Sequence, residues 1–286
     1  MSLEAHRPSQ NESHSAHDLH VGGSQATASH IQSILSAPTE NGEANNMQQT
    51  QQEFIQLQIA FAHHAARVCD ISFEKALLMY TRLYRQFGLP LDANKELDNH
   101  NVQWMKFLSH INNDENLCRA ALKMLPERVP EKTTGSCFSY GYDEGEEAVN
   151  IHFENNDPHE KSPLSDERLE ARKAELKSLF SEIHQKFPQA KKVRGSSWLY
   201  NIPNYRKLFP LAYTDGMGTP RSYTNTMSLW GQFFNRKGGL KHDRVQEFLE
   251  RAEKAKSEEE LLDAFPLRER SAGCPIQDFY SFYGIA

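Results

Sequence analysis

The sequence predicts an α+β protein in which a helical unit packs on a mixed β-sheet unit. Between residues 54 and 125, apolar residues recur every three or four positions, which is the period of an amphipathic helix. After Cys137 the period shortens to two, as in a half-buried strand, and later segments alternate between the two patterns. We therefore expect a helical unit over residues 52–127 and a mixed-sheet unit over residues 135–286.

The first fifty residues have the composition of a disordered tail. They contain no aromatic residue and are rich in Ser, Gln, Asn and His. Such a stretch buries too little apolar surface to offset the entropy of ordering it. We expect disorder over residues 1–50, with at most a short helix near residues 31–35.

In the helical unit the pattern predicts two amphipathic helices joined near Asp70, then a third that carries Trp104 and a short fourth that ends near Leu125. In the sheet unit it predicts a β-hairpin over 138–153 and a long helix over 169–187. Further expected elements are a strand over 193–200, a short helix over 205–209, a long strand near 223–234, two more helices, and an apolar C-terminal segment over 275–285 that docks on the core.

Positive charge is concentrated in one segment of an acidic protein. Residues 186–244 hold eleven Lys and Arg against two acidic residues, Asp215 and Asp243, a net +9 in a chain of net −6. Two of the three tryptophans, Trp198 and Trp230, lie in the same segment. Basic side chains interleaved with aromatic ones are typical of a surface that binds a flat anion, such as a nucleotide.

These residues predict an anion site. Guanidinium and ammonium groups would hold phosphate, with Trp198 or Trp230 as a platform for the base. Asn201, Tyr205 and Arg206 follow the predicted strand, at the position where open α/β folds place ligands. The basic candidates are Lys191, Lys192, Arg194, Arg206, Lys207, Arg236 and Lys237. The alternative is a solvated basic face that neutralises acidic neighbours such as Asp166, Glu167, Glu170, Glu175 and Glu182.

Catalytic candidates are fewer. His152 and Glu154 alternate with apolar residues and so point to the same side of their strand, where one could act as a general base. The alternative is an ordinary polar strand face. His152, Glu154 and His159 together have a spacing that matches no zinc-binding motif, so we assign no metal site. Cys137 has nothing beside it in sequence to activate it, which favours a packed thiol over a nucleophile.

Several motifs resemble a bacterial family of conserved uncharacterised proteins. They are GSSWLYN at 195–201, YRKLFP at 205–210, LWGQF at 229–233 and FYSFYG at 279–284, with ALLMYTRLYRQFG at 76–88 in the helical half. The resemblance spans residues 54–285 and brings no known activity. A remoter likeness links the element order of 149–199 to the GNAT-like C-terminal domain of a bacterial acyltransferase-like family. That likeness implies binding of acyl-coenzyme A, although the Gln/Arg-x-x-Gly-x-Gly/Ala turn of GNAT enzymes is absent here.

Two functional hypotheses follow. In the first, a cytoplasmic bacterial protein of GNAT-like architecture binds acyl-coenzyme A or a similar nucleotide and transfers an acyl group to an amine, with His152, Glu154 or Tyr200 removing a proton. In the second, a non-catalytic interaction protein docks an acidic protein or an RNA on its basic aromatic face. We expect no membrane partner, because no apolar run approaches the roughly 18 to 20 residues that span a bilayer, and a nucleic acid is less favoured than a nucleotide-type small molecule.

Overall fold

The computed structural model describes residues 43–89, 101–126, 136–219, 228–235 and 237–286. It confirms an α+β architecture with a four-stranded mixed sheet. Among the described residues, no helix combines the length and the apolarity that crossing a bilayer requires. Residues 1–42 of the predicted tail lie outside the described residues, whereas the prediction of disorder is wrong for residues 43–50, which are helical.

The N-terminal part is helical, as predicted. Its second predicted helix is split at Thr81, which has an extended backbone and whose hydroxyl caps the next segment by accepting the Leu83 N–H. The buried Gln58 side chain accepts the Arg82 N–H in the same gap. The helices are α1 (Glu43–Cys69), α2 (Phe73–Tyr80), α3 (Leu83–Gln86), α4 (Val102–Leu108) and α5 (Asp114–Met124).

Part of the C-terminal half packs with these helices instead of the sheet. The predicted strand near 223–234 is wrong: a 3₁₀ helix occupies Ser228–Phe233, and residues 223–227 lie outside the described part. Trp230 of this helix contacts Phe61 of α1, with ring centroids 5.5 Å apart. The helices α9 (His242–Lys254) and α10 (Glu258–Asp263) also lie against α1.

The sheet has the order β1-β2-β3-β4. Its first two strands form the predicted hairpin, the central pair is parallel, and the last pair is antiparallel. The strand predicted over 193–200 ends at Ser197, where a 3₁₀ helix takes over, and the last strand was not predicted. The strands are β1 (Phe138–Asp143), β2 (Ala148–Phe153), β3 (Lys192–Ser197) and β4 (Arg270–Pro275).

Helices cover one face of the sheet. Val149, Ile151 and Val193 point into this core, and Gly195 faces the hydroxyl groups of Tyr200 and Tyr213. The long helix α6 (Leu169–Lys186) matches its prediction, and the C-terminal segment docks as predicted. The other helices of the layer are α7 (Pro203–Arg206), α8 (Leu211–Asp215) and α11 (Ile276–Tyr283).

Candidate functional site

Three residues of the predicted anion site are ion-paired with the β1–β2 turn. Lys191 contacts Glu147, and Lys192 Nζ lies 2.5 Å from the Glu146 carboxylate. Arg194 bonds the Asp143 carboxylate at 2.6 Å and the Glu146 carboxylate at 3.1 Å, and its Nε donates to Asn150 Oδ1 at 2.7 Å. These cations neutralise an acidic turn, as the alternative interpretation of a solvated basic face required, although with different acidic partners from those expected.

The remaining cations are dispersed. Lys207 Nζ lies 2.9 Å from Asn204 Oδ1 and 3.8 Å from Asp166 Oδ1. Arg206 on α7 and Lys237 in the loop before α9 are exposed, and Arg236 lies outside the described residues. Among the described cations, Lys192 and Arg194 converge, and the position they share is occupied by the Glu146 carboxylate.

The aromatic candidates are separated in the same way. Trp230 is fully buried in the helical cluster, so it presents no face to a ligand. Tyr205 is buried in the sheet core. Trp198 is partly buried against that core, and its indole lies close to Gly231. The Trp230 ring fills the core that α1 shares with α9 and α10, so the structure gives no support to its predicted role as an adenine platform.

Two polar candidates have structural partners. Asn201 Nδ2 donates to the carbonyls of Trp198 and Arg268, and its Oδ1 accepts from Arg270 Nε, which fixes the chain between two loops. The hydroxyl oxygens of Tyr200 and Tyr213 lie 2.7 Å apart, and burial raises the pKa of Tyr200 well above its usual value. A buried neutral phenol is poorly suited to remove a proton.

His152 and Glu154 lie on the same side of β2, as predicted, and both are exposed. No hydrogen bond joins them in the structure, where Glu154 Oε2 instead accepts from Asn156 Nδ2 at 3.5 Å. They lie on the face of the sheet opposite Tyr200, because His152 alternates with the core residues Ile151 and Phe153. The three catalytic candidates therefore do not form one site.

A different feature is an open groove between β1 and α6. Its volume is about 530 Å³. Three of its residues begin β1, Ser136 precedes that strand, and four form one stripe of α6. They are Ser136, Phe138, Ser139, Tyr140, Glu175, Ser178, Leu179 and Glu182, and we call this feature the β1–α6 groove.

The strand beside the groove has an unpaired edge. Strand β1 is the first strand of the sheet, and the Glu154 N–H donates to the Cys137 carbonyl at 2.9 Å. In an antiparallel pair, residues alternate between bonding the partner strand and facing away from it. The peptide groups of Tyr140 and Tyr142 therefore face away from β2, and they have no backbone partner among the described residues.

By the same alternation the N–H and C=O of Phe138 also face away from β2, but here side chains bond and cap them. Its N–H donates to Glu175 Oε1 at 2.5 Å, and Ser136 Oγ lies 3.0 Å from its carbonyl oxygen and 2.5 Å from Glu175 Oε1, so these two acceptors share one hydroxyl hydrogen. Glu175 is itself held by Arg172, whose Nε lies 3.2 Å from Glu175 Oε2. The cap closes the edge at its first residue and leaves it open from Tyr140 onward.

Buried charges fix this end of the groove. Arg172 is 4% exposed and reaches the Cys137 sulfur, and its guanidinium lies 3.6 Å from the Asp157 carboxylate. Arg168 donates to the same carboxylate at 2.9 Å. Burial raises the pKa of the Cys137 thiol, in line with the packed thiol expected from the sequence.

The helix side of the groove combines polar and apolar groups. Tyr140 donates its hydroxyl to Glu182 Oε1 at 2.9 Å, and Lys186 Nζ lies 2.7 Å from the same oxygen. Both donors lower the pKa of Glu182, and the hydrogen bond from Lys186 has the larger effect. At the far end, Tyr142 stacks on Phe187 with ring centroids 4.3 Å apart.

Comparison with protein-family models, curated proteins and solved structures finds no match for this chain. We therefore infer its function from the geometry of the groove.

From the sequence alone, Glu175 and Glu182 are considered only as acidic neighbours that a solvated basic face would neutralise. The spacing of Glu175, Ser178, Leu179 and Glu182 at i, i+3, i+4 and i+7 does mark one stripe of α6. What the sequence could not reveal is that this stripe lies beside the outer edge of β1, because that requires the strand order of the sheet.

Proposed function

We propose that this chain is a non-catalytic interaction protein that binds an extended segment of a partner protein in the β1–α6 groove. The observation that carries the proposal is the unpaired edge at Tyr140 and Tyr142 beside a groove of about 530 Å³. An exposed strand edge presents N–H and C=O groups in the spacing that another strand matches. Strand addition between a sheet edge and a helix is a recurring mode of peptide recognition.

The energetics point to a binding mode of moderate strength. Two outward-facing residues offer four main-chain hydrogen bonds, each worth about 0.5–1.5 kcal/mol net. Part of that gain offsets the ordering of the incoming segment. Contacts with the partly exposed Tyr140 ring and with the small exposed parts of Phe138 and Leu179 would supply the remaining affinity and the preference for particular side chains.

The acyl-coenzyme A hypothesis, with its GNAT-like sheet, has less support. Its anion-binding residues include Arg194 in a turn-bound ion network and Trp230 in a separate core. A basic face for RNA or an acidic protein is also weakened, because Arg194 has three acceptors, Asn150, Glu146 and Asp143, and a ligand would have to replace several of these bonds at once. An extended peptide suits the geometry better than a polyanion does.

The test is selection of a phage-displayed library of random 12-residue peptides on the immobilised full-length chain. Selected peptides are synthesised, and their affinity for the chain in solution is measured by fluorescence anisotropy. The proposal predicts that binding depends on the outward peptide groups of β1.

Two variants at one position isolate the backbone contribution. Tyr140→Ala removes the side chain and keeps the N–H, whereas Tyr140→Pro removes both. Proline is tolerated there because the Tyr140 N–H faces away from β2 and no bond of the sheet is lost. We expect Tyr140→Pro to bind at least fivefold more weakly than Tyr140→Ala, with both variants folded by circular dichroism. Equal affinities would contradict strand addition, as would a selection that yields no binding peptide.

A further inference from the structure

We infer that the segment bound in the β1–α6 groove carries a Lys or Arg side chain that is recognised by Glu182. This inference rests on the proposed function and specifies the chemistry of its ligand. The groove-lining residues include two carboxylates, Glu175 and Glu182, and no cation. Arg172 and Lys186, which pair with these carboxylates, are not lining residues, so the charged groups that face the groove are acidic and complement a basic side chain.

The two carboxylates have different roles. Glu175 Oε1 is occupied by the Phe138 N–H and the Ser136 hydroxyl, and its Oε2 is buried beside Arg172. Glu182 uses only Oε1, which accepts from Tyr140 and Lys186. Its Oε2 has no protein donor among the described residues, so Glu182 is the carboxylate with acceptor capacity left for a ligand.

The position of Glu182 on its helix adds to this preference. Glu182 lies four residues before the end of α6 at Lys186, near the negative end of the helix dipole. The negative end of the helix dipole also favours a cation near this last turn.

Lys186 already pairs with Glu182 but does not block a ligand. The Lys186 side chain is 60% exposed and the Glu182 side chain 48% exposed. Such surface pairs at i, i+4 contribute little and rearrange at small cost. A ligand ammonium or guanidinium at Oε2 would share the carboxylate with Lys186 at Oε1.

The cap at Phe138 gives the incoming strand a defined register. Main-chain pairing begins at Tyr140, since the Phe138 N–H is already bonded to Glu175 and its C=O lies beside the Ser136 hydroxyl. The Tyr140 hydroxyl meets Glu182 directly, at 2.9 Å. The basic side chain should therefore occupy one fixed position in every aligned binding peptide, beside the residue that pairs with Tyr140.

The test compares the same 12-residue library on the wild-type chain and on Glu182→Gln, which keeps an oxygen acceptor and removes the charge. Glu170→Gln is the matched control, because Glu170 is an acidic residue of the same helix that pairs with Lys173 at i, i+3 and does not line the groove. We expect Lys or Arg at one aligned position for the wild type and for Glu170→Gln, and no such preference for Glu182→Gln. A synthetic wild-type-selected peptide should bind Glu182→Gln about three- to fivefold more weakly, the size typical of a partly exposed charge pair.

The outcomes separate the two proposals. Peptides that lose affinity with Tyr140→Pro, show no basic preference and bind Glu182→Gln unchanged would overturn this inference and leave strand addition standing. Peptides that bind Tyr140→Pro and Tyr140→Ala equally would overturn both. A selected peptide whose basic residue is replaced by Glu should bind the wild type at least tenfold more weakly, and equal affinity would also count against recognition by Glu182.

Discussion

Glu175 of α6 accepts the backbone N–H of Phe138, the first residue of the edge strand β1, at 2.5 Å. A side chain thus takes the place of a neighbouring strand at this one residue. It satisfies a donor that would otherwise face the groove and links the helix to the sheet edge, so the groove has one closed end and one open end.

Removal of this carboxylate should destabilise the protein. Glu175→Ala leaves the Phe138 N–H without its acceptor and takes one partner from the buried Arg172, at a cost of about 1–3 kcal/mol. Glu175→Gln retains an oxygen for the N–H and should cost less. Urea unfolding of both variants measures the difference in unfolding free energy. Glu170→Gln is the control, because the Glu170 side chain is 84% exposed. Its unfolding free energy should stay within about 0.5 kcal/mol of the wild-type value. Equal stability of Glu175→Ala and Glu170→Gln would show that the cap is not a structural contact.

Gly195 of β3 should not tolerate a methyl group. A Cβ at this position would lie 2.6 Å from the Tyr213 hydroxyl oxygen and close to that of Tyr200, and both rings are buried. Because neither phenol has space to retreat, Gly195→Ala should lose about 1–3 kcal/mol of unfolding free energy.

The control for this substitution is Gly216→Ala, where no atom lies within 4 Å of the added carbon and φ is −88°. In thermal unfolding experiments, the Tm of Gly195→Ala should be clearly lower than that of Gly216→Ala. Matching Tm values would mean that the Tyr200–Tyr213 pair is free to move.

His64 of α1 should make stability depend on pH. Its ring is buried, and burial, followed by the nearby Arg67 and His63, lowers its pKa to about 4. Between pH 6.5 and 4 the unfolded chain binds the proton and the folded chain does not, so stability falls as the pH decreases through this range. The full loss is on the order of 3 kcal/mol.

Urea unfolding at pH 7, 6, 5 and 4.5 measures this effect. His64→Leu should flatten the pH dependence over that interval, whereas His152→Gln, at an exposed position, serves as the control. A pH slope that is the same in His64→Leu as in the wild type would refute the assignment.

Sequence periodicity predicted the elements whose apolar pattern is local. The hairpin over 138–153 and the helix over 169–187 are confirmed because each buries one face, so alternation or a stripe is visible in the chain itself. The prediction was wrong for the segment around Trp230. Its apolar residues form a 3₁₀ helix that is buried on several sides, and because such an apolar run has no clear period, it resembles a buried strand.

The interleaving of basic and aromatic residues also misled the functional prediction. In a strand, successive side chains point to opposite faces, so residues that alternate in sequence are separated in space. Arg194 points to the polar face, whereas its neighbours Val193 and Gly195 face the core. A charge count over residues 186–244 does not distinguish these faces, and the carboxylates that neutralise Arg194 come from the distant β1–β2 turn.

Amide hydrogen exchange along β1 tests the central claim, an open strand edge at the groove, most directly. The account predicts fast exchange for the N–H groups of Tyr140 and Tyr142 and slow exchange for Ser139 and Gly141, which bond β2. Addition of a selected peptide should slow Tyr140 and Tyr142 and leave Gly141 unchanged. Slow exchange at Tyr140 and Tyr142 in the free full-length chain would contradict the account, because it would mean that the edge is already covered.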